Sequence, residues 1–112
     1  MFVKDGFLFN RMSLRIKIND ILWIKGLGNY SILILKNGRT YTSSRTLKVF
    51  ELLLKEHGFI RPSKFSLVNL AYVIMPSKTP VSILQLKPTL EKIPVSRRRH
   101  AEIANLLLQY NS

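Results

Sequence analysis

The sequence predicts a mainly β fold with two short helices. Segments rich in β-branched and aromatic residues recur along the chain, and turn signals separate them roughly every ten residues. Asp5-Gly6 and Asn37-Gly38 are strong two-residue hairpin signals. A chain of 112 residues is expected to form one domain, which we assign to residues 1–112. Together these features favour an antiparallel sandwich or a barrel-like body, with the first helix packed on one edge or face.

Each predicted strand is a short run of apolar or alternating residues bounded by turn residues. Ile16 and Ile18 alternate with charged neighbours, whereas Tyr30–Leu35 is continuous and apolar. The predicted strands span residues 2–4, 7–11, 15–18, 21–25, 30–35, 39–42, 59–61, 81–86 and 90–95. Residues 62–65 are predicted to be irregular or helical for one turn, and residues 66–70 to be a strand end or a short helix.

The first helix is predicted over Arg45–His57. Ser43 or Ser44 can cap it, because a serine oxygen accepts from an unpaired amide of the first turn. Gly58 occupies the position of a C-terminal cap. The apolar face of the helix consists of Leu47, Phe50 and Leu54.

The second helix is predicted to follow the strand at Ile93-Pro94-Val95, with Ser96 as its cap. Its buried face is formed by Ile103, Leu106, Leu107 and Tyr110, which follow the helical period.

The first turn of this helix is strongly basic, with Arg97, Arg98, Arg99 and His100 in succession. Cations at a helix N-terminus oppose the macrodipole, so stability alone does not explain them. Arginines at a junction between a strand and a helix suit the phosphates or base edges of a nucleic acid. The alternative is a solvated run of charges.

The overall charge also favours an anionic partner. Lys and Arg number 18 against 6 Asp and Glu, a formal net charge of +12. Nucleic acid is the first candidate and an anionic membrane surface the second. The chain has no cysteine, which excludes disulfides and zinc fingers and is compatible with the cytoplasm. It has no apolar run near the roughly 20 residues that a membrane span needs.

The sequence offers no catalytic constellation and no cofactor motif. Gly26-Leu27-Gly28 begins like a dinucleotide fingerprint, but Ser31 replaces the third glycine and a strand follows instead of a helix. His57 and His100 lack a second ligand at metal-binding spacing. The acidic residues are scattered and form no acid–base pair. We therefore expect a protein that is not an enzyme and needs neither metal nor cofactor.

Four ordered segments resemble the LytTR-type DNA-binding domain. Phe2-Val3-Lys4 and then Ile21–Tyr30, ILWIKGLGNY, resemble its "D-I-L-Y-I-E-A-x-x-N-Y" signature. Thr46-Leu47-Lys48 fits its "S-L-K-E-L" segment, and Phe59–Leu70 resembles "F-x-R-x-H-R-S-Y-I-V-N". Ile93–Arg98, IPVSRR, matches its closing segment. Each segment is weak alone, but the set in this order covers nearly the whole chain.

The resemblance implies an elongated arrangement of three small antiparallel β-sheets, about ten strands, with short helices. It also implies the output domain of a bacterial transcription regulator, often joined to an N-terminal receiver domain. Such domains place loops in successive major grooves of double-stranded promoter DNA and bind paired direct repeats. The resemblance thus predicts a cytoplasmic regulator that forms a homodimer on DNA and does not bind membranes.

The resemblance also assigns residues to the DNA contact. The base-contacting positions are Asn29, Lys64 and Arg97, in three loops. Lysine and arginine donate to guanine, and asparagine pairs with adenine. The expected backbone contacts are Lys25, Tyr30, Arg61, Ser63, Ser96, Arg98 and Arg99. In the second loop Ser63 replaces the family's histidine.

Two alternatives remain at this stage. An RNA- or single-strand-binding β module stacks bases on exposed aromatics. We expect Trp23, Phe50 and Tyr72 to be buried, which leaves Tyr30 and Phe65 for stacking. The other alternative is a protein-interaction domain that keeps the fold without reading DNA.

Overall fold

The computed structural model describes residues 1–12 and 14–111 as a mainly β protein with two α-helices. In this part of the chain the strands are β1 (Phe2–Lys4), β2 (Phe7–Phe9), β3 (Arg15–Lys17), β4 (Ile21–Leu27), β5 (Tyr30–Leu35), β6 (Thr40–Ser43), β7 (Phe59–Ser63), β8 (Ser66–Asn69), β9 (Val73–Ile74), β10 (Ile83–Leu86) and β11 (Lys92–Pro94). The helices are α1 (Leu47–Leu53) and α2 (His100–Asn111), and 3-10 turns span Ile18–Asp20, Leu70–Tyr72 and Arg97–Arg99.

The strands form three antiparallel sheets. The central sheet has five strands in the order β6-β5-β4-β8-β7, and the two smaller sheets have the orders β1-β2-β3 and β11-β10-β9. The described chain measures 43 × 27 × 24 Å along its principal axes. The predicted mainly β, elongated arrangement of short antiparallel sheets with two helices is confirmed. The sandwich or closed barrel suggested by strand spacing alone is wrong, because each small sheet covers a different face of the central sheet.

Two hydrophobic clusters lie on opposite faces of the central sheet. On one face Ile24 and Leu33 pack with Phe50 of α1 and Leu8 of the N-terminal sheet. On the other face Trp23, Val68 and their neighbours pack with Leu84, Ile93, Ile103 and Leu107 from the C-terminal sheet and α2. A register shift between Ile21 and Trp23 places both Leu22 and Trp23 on this second face. The central sheet is therefore buried on both faces.

Both predicted hairpins are present, but only the first turns over two residues. Asp5 and Gly6 have φ angles of 52° and 79°, which match the right-handed twist of the flanking strands. The connection between Leu35 and Thr40 is longer: the Leu35 N–H donates to Arg39 O at 2.9 Å, and Gly38 has a φ of 87°. The undecided segment after Phe65 is a strand, β8, followed by a 3-10 turn.

Helix α1 is shorter than predicted, and its predicted serine cap is wrong. Its cap position is Thr46, which makes no side-chain capping bond. The Ser43 Oγ instead accepts from the Arg45 N–H at 3.1 Å, which closes the turn that leaves β6. The helix ends at Leu53, so Gly58, with φ of 75°, ends the following turns instead of the helix.

Helix α2 buries the predicted face only in part. Ile103 and Leu107 are buried and Leu106 is half-buried, but Tyr110 is 52% exposed. The Ser96 cap is also wrong, because the basic turn is closed by the backbone bond from Arg99 N–H to Ser96 O, 2.9 Å. Within the described residues, neither helix is long and apolar enough to cross a membrane.

Candidate nucleic-acid interface

Three loops lie beside one another where β4 ends and β8 begins. We call this end of the central sheet the loop edge. The first loop is Gly28-Asn29 between β4 and β5, and the second loop is Lys64-Phe65 between β7 and β8. Because β4 and β8 pair with Lys25 opposite Ser66, both hairpins turn at the same edge. The third loop, 96–99, joins β11 to α2.

The first loop is a two-residue hairpin turn. Leu27 lies opposite Tyr30, and Gly28 has a φ of 67°. Asn29 is not among the positive-φ residues, so the turn has the type II′ pattern, which favours glycine at its first central position. Asn29 is exposed, and Tyr30 is 43% exposed. The turn therefore presents an amide and a phenol ring to solvent.

The second loop is held by the side chain of Arg61. Its Nε donates to Ser63 O at 3.1 Å, and its Nη2 donates to Lys64 O at 3.3 Å. Its Nη1 lies 2.6 Å from Glu51 Oε1 on α1. The Ser63 Oγ accepts from the Phe65 N–H at 3.0 Å. These bonds fix the loop backbone while Lys64 and Phe65 stay exposed.

The second loop is also bonded to the strand of the first. The Gly26 N–H donates to Phe65 O at 2.9 Å. Gly26 is buried, and a Cβ at this position would lie 3.1 Å from Leu47 Cδ2. A larger residue here would therefore have to displace the Leu47 side chain, where α1 approaches the end of β4.

The third loop is docked on β7, next to the second loop. The Ser96 N–H donates to Pro62 O at 2.9 Å, and Arg99 Nη1 donates to Arg61 O at 3.0 Å. His100 Nε2 lies 3.2 Å from Val95 O. Arg97 and Arg98 are exposed, and neither side chain has a hydrogen-bond or ion-pair partner among the residues that the structure describes. The basic turn thus has one anchored arginine and two that face solvent.

Little of the positive charge is neutralised by ion pairs. In residues 1–12 and 14–111 the ion pairs are Lys36–Asp20, at 3.3 Å, and Arg61–Glu51, at 2.6 Å. No cluster of three or more metal-ligating side chains occurs in the same ranges. The edge with the three loops therefore presents unpaired cations, which attract an anionic polymer.

The comparisons with known proteins agree with this architecture. The family model of the LytTr DNA-binding domain matches residues 11–108. The chain belongs to the LytTr DNA-binding domain family.

A solved structure described as the LytTr DNA-binding domain of a putative methyl-accepting/DNA response regulator from Bacillus cereus superimposes with a TM-score of 0.72. It is 20% identical in sequence, and the match covers 90% of this chain and 94% of that one. No curated protein matches this chain at a significant level. The LytTr family is a family of DNA-binding domains.

In this LytTr domain the three predicted base-contacting residues lie in the three adjacent loops. Asn29, Lys64 and Arg97 are all exposed. Lys64 Nζ lies 5.1 Å from the centroid of the Phe65 ring, so this cation rests beside an exposed aromatic. The sequence-based assignment of these residues to base contacts stays a prediction.

The predicted backbone contacts divide into two groups. Lys25, Tyr30 and Arg98 are exposed, and half-buried Ser63 and Ser96 line a groove between β8 and β11 with Lys25. Arg61 and Arg99 are half-buried: Arg61 donates to Glu51 of α1 and to Lys64 O of the second loop, and Arg99 donates to Arg61 O of β7. The structure therefore gives these two arginines a role in holding the loops.

Sequence reasoning missed two features of this edge. Glu51 holds Arg61 through an ion pair that the scattered acidic residues of the sequence did not indicate. Thr46 and Lys48 line a recess of about 330 Å³ together with Gly28, Arg61 and Lys64. The resemblance of Thr46-Leu47-Lys48 to a family segment was the signal available for this recess.

Proposed function

We propose that this LytTr domain is the DNA-reading output domain of a bacterial response regulator. The observation that carries the proposal is the placement of Asn29, Lys64 and Arg97 in three adjacent, exposed loops. The name of the Bacillus cereus neighbour supports a response-regulator context. In this proposal residues 1–112 form one domain, which acts in the cytoplasm on double-stranded promoter DNA.

The chemistry of the three side chains suits the major groove. Arg97 and Lys64 donate to guanine O6 and N7, and the Asn29 amide pairs with adenine N6 and N7. Lys25, Tyr30, Ser63, Ser96 and Arg98 contact phosphates beside these bases and set the register. In this proposal, base recognition is distributed over three loops, which the central sheet and α2 hold in place.

The proposal includes two partners. A receiver domain precedes this domain in the regulator, and two copies bind as a homodimer on paired direct repeats. The homodimer follows from the paired direct repeats that the resemblance to the family implies.

The test is in vitro selection of duplex DNA, followed by fluorescence anisotropy on selected and scrambled duplexes at several salt concentrations. We expect spaced direct repeats bound about a thousandfold more tightly than the scramble. Equal and steeply salt-dependent binding to both duplexes would contradict sequence reading. Absence of duplex binding even at low salt would contradict the whole proposal.

A further inference from the structure

The N-terminal sheet exposes a face that the three loops do not use. Phe2 pairs with Phe9, Lys4 pairs with Phe7, and Arg15 pairs with Phe9 on the other side. Residues directly opposite in an antiparallel sheet point to the same side. We call the outward side the aromatic–basic face, formed by Phe2, Lys4, Phe7, Phe9, Arg15 and Lys17. The inward side consists of Val3, Leu8 and Ile16, which belong to the core.

The phenylalanine rings of this face are close together and open to solvent. The rings of Phe2 and Phe9 are stacked, with centroids 5.2 Å apart and an interplanar angle of 16°. The rings of Phe7 and Phe9 have centroids 6.3 Å apart. Phe2 is 53% exposed, and Phe7 and Phe9 are partly exposed. One exposed ring and two half-buried rings on a small sheet together present apolar surface to solvent, and contiguous surface of this kind is a candidate binding site.

Cations surround the rings. Lys4, Arg15 and Lys17 are exposed, and the Arg15 guanidinium carbon lies 4.0 Å from the Phe7 ring centroid. Asp5, in the turn, is the one acidic residue in the sequence of the first nineteen. The face therefore combines planar stacking surfaces with positive charge at their borders.

This combination identifies the class of ligand. A flexible polyanion with planar apolar groups satisfies both features, because its bases stack on the rings while its phosphates meet the cations. A protein partner would suit the phenylalanines and Arg15, which are residue types enriched in interfaces, but not Lys4 and Lys17, because lysine is depleted there. Duplex DNA hides its base faces in the stack, so the rings would have nothing to contact.

We propose that the aromatic–basic face binds single-stranded nucleic acid, at a site separate from the loops that read duplex DNA. The face is the outer side of a sheet that covers the central sheet, whereas the three loops lie at the edge of the central sheet. Stacking on phenylalanine tolerates any base, so the site recognises unpaired strands with little sequence preference. The two sites would let one domain hold duplex and unpaired strand together.

The test uses the whole chain and a labelled oligothymidylate of about eight nucleotides, a length within the range of one single-strand site. An abasic oligomer of the same length separates stacking from charge attraction. We expect the oligothymidylate to bind about tenfold more tightly than the abasic oligomer. Amide resonances of β1–β3 should shift in NMR spectra, and an excess of selected duplex should not displace the strand.

Three variants complete the test. The double variant Phe2→Ser with Phe9→Ser should lose the preference for the oligothymidylate, and thermal unfolding checks its fold. Lys17→Glu should weaken both oligomers without touching the rings. Leu52→Ser is the matched control, because Leu52 is 66% exposed on α1, outside the face, and its loss should change nothing.

Four outcomes would overturn the proposal. They are equal binding of the two oligomers, unchanged binding by the double phenylalanine variant, complete displacement by duplex, and tighter binding of an acidic peptide or anionic vesicle than of the oligothymidylate. Arg97→Ala distinguishes this site from the proposed duplex function, since it should leave oligothymidylate binding intact. A result in which Arg97→Ala abolishes strand binding would place the strand on the loops and also contradict the proposal.

Discussion

Arg61 Nη1 and Glu51 Oε1 lie 2.6 Å apart, and this ion pair joins β7 to helix α1. The Arg61 side chain is only 16% exposed, and its other nitrogens donate to the backbone of the second loop. The Arg61 carbonyl oxygen accepts from Arg99 of the third loop. One residue therefore connects the helix and two of the three loops.

Arg61→Lys should destabilise the loops although it keeps the positive charge. A lysine ammonium cannot reproduce the planar fork that serves Glu51, Ser63 and Lys64 together. We expect the free energy of unfolding to fall by about 1–2 kcal/mol, measured by urea denaturation. Affinity for the selected duplex should fall more than affinity for a scrambled one, with an unchanged salt slope.

The matched variant is Glu51→Gln, which removes the charge of the partner and leaves Arg61 in place. It should reduce stability less than Arg61→Lys does, because the bonds to the loop carbonyls remain. If Arg61 mainly contacts a DNA phosphate, the effects on duplex binding should be different. Arg61→Lys would then retain binding, and Arg61→Ala would reduce the salt slope by about one unit.

Arg97 and Arg98 are adjacent and exposed, yet their replacement by alanine should have different effects. Arg97→Ala should cost roughly 1–3 kcal/mol on the selected site and relax the preference at one base position. Arg98→Ala should weaken selected and scrambled duplexes equally and lower the salt slope by about one unit. Fluorescence anisotropy on single-base variants of the selected site measures the base preference, and its salt dependence gives the salt slope. Identical profiles for the two variants would contradict the assignment.

Gly26→Ala should destabilise the protein through a clash with Leu47. The new Cβ would lie 3.1 Å from Leu47 Cδ2 and 3.2 Å from Leu47 Cβ. We expect a loss of about 1–3 kcal/mol in urea denaturation. The double variant with Leu47→Ala should be more stable than the sum of the single losses predicts, by at least about 0.5 kcal/mol. Strict additivity would show that the two sites do not interact.

Gly28→Ala tests backbone conformation without a steric clash. Gly28 has a φ of 67°, and no heavy atom lies within 4 Å of a Cβ built there. We expect a loss of about 1–2 kcal/mol, because alanine is strained in the left-handed region. Gly28→Asn should lose less, since asparagine tolerates this region better. Equal stability of the three proteins, measured by thermal unfolding, would mean that the turn changes shape.

Local patterns predicted the hairpins well. The dipeptides at Asp5-Gly6 and Asn37-Gly38 carry their own backbone preferences, and the alternation around Ile16 identifies a strand with one buried side. Helix α1 and its cap were predicted poorly, because the turn at Ser43 uses the serine oxygen before the helix begins. The aromatic–basic face was missed, since the pairing of β1 with β2 and of β2 with β3 is needed to place its residues on one side.

The sequence by itself determined the β-rich class, the tight turns, the excess of positive charge and, by resemblance, the family. Only the tertiary structure decided which cations are available to a ligand. Arg97 and Arg98 face solvent, whereas Arg99 is bonded to Arg61 O and Arg61 is bonded to Glu51. The physical reason is that these bonds join residues brought together by strand pairing and helix packing. A run of basic residues in the sequence does not indicate which acceptors, distant along the chain, will lie next to it.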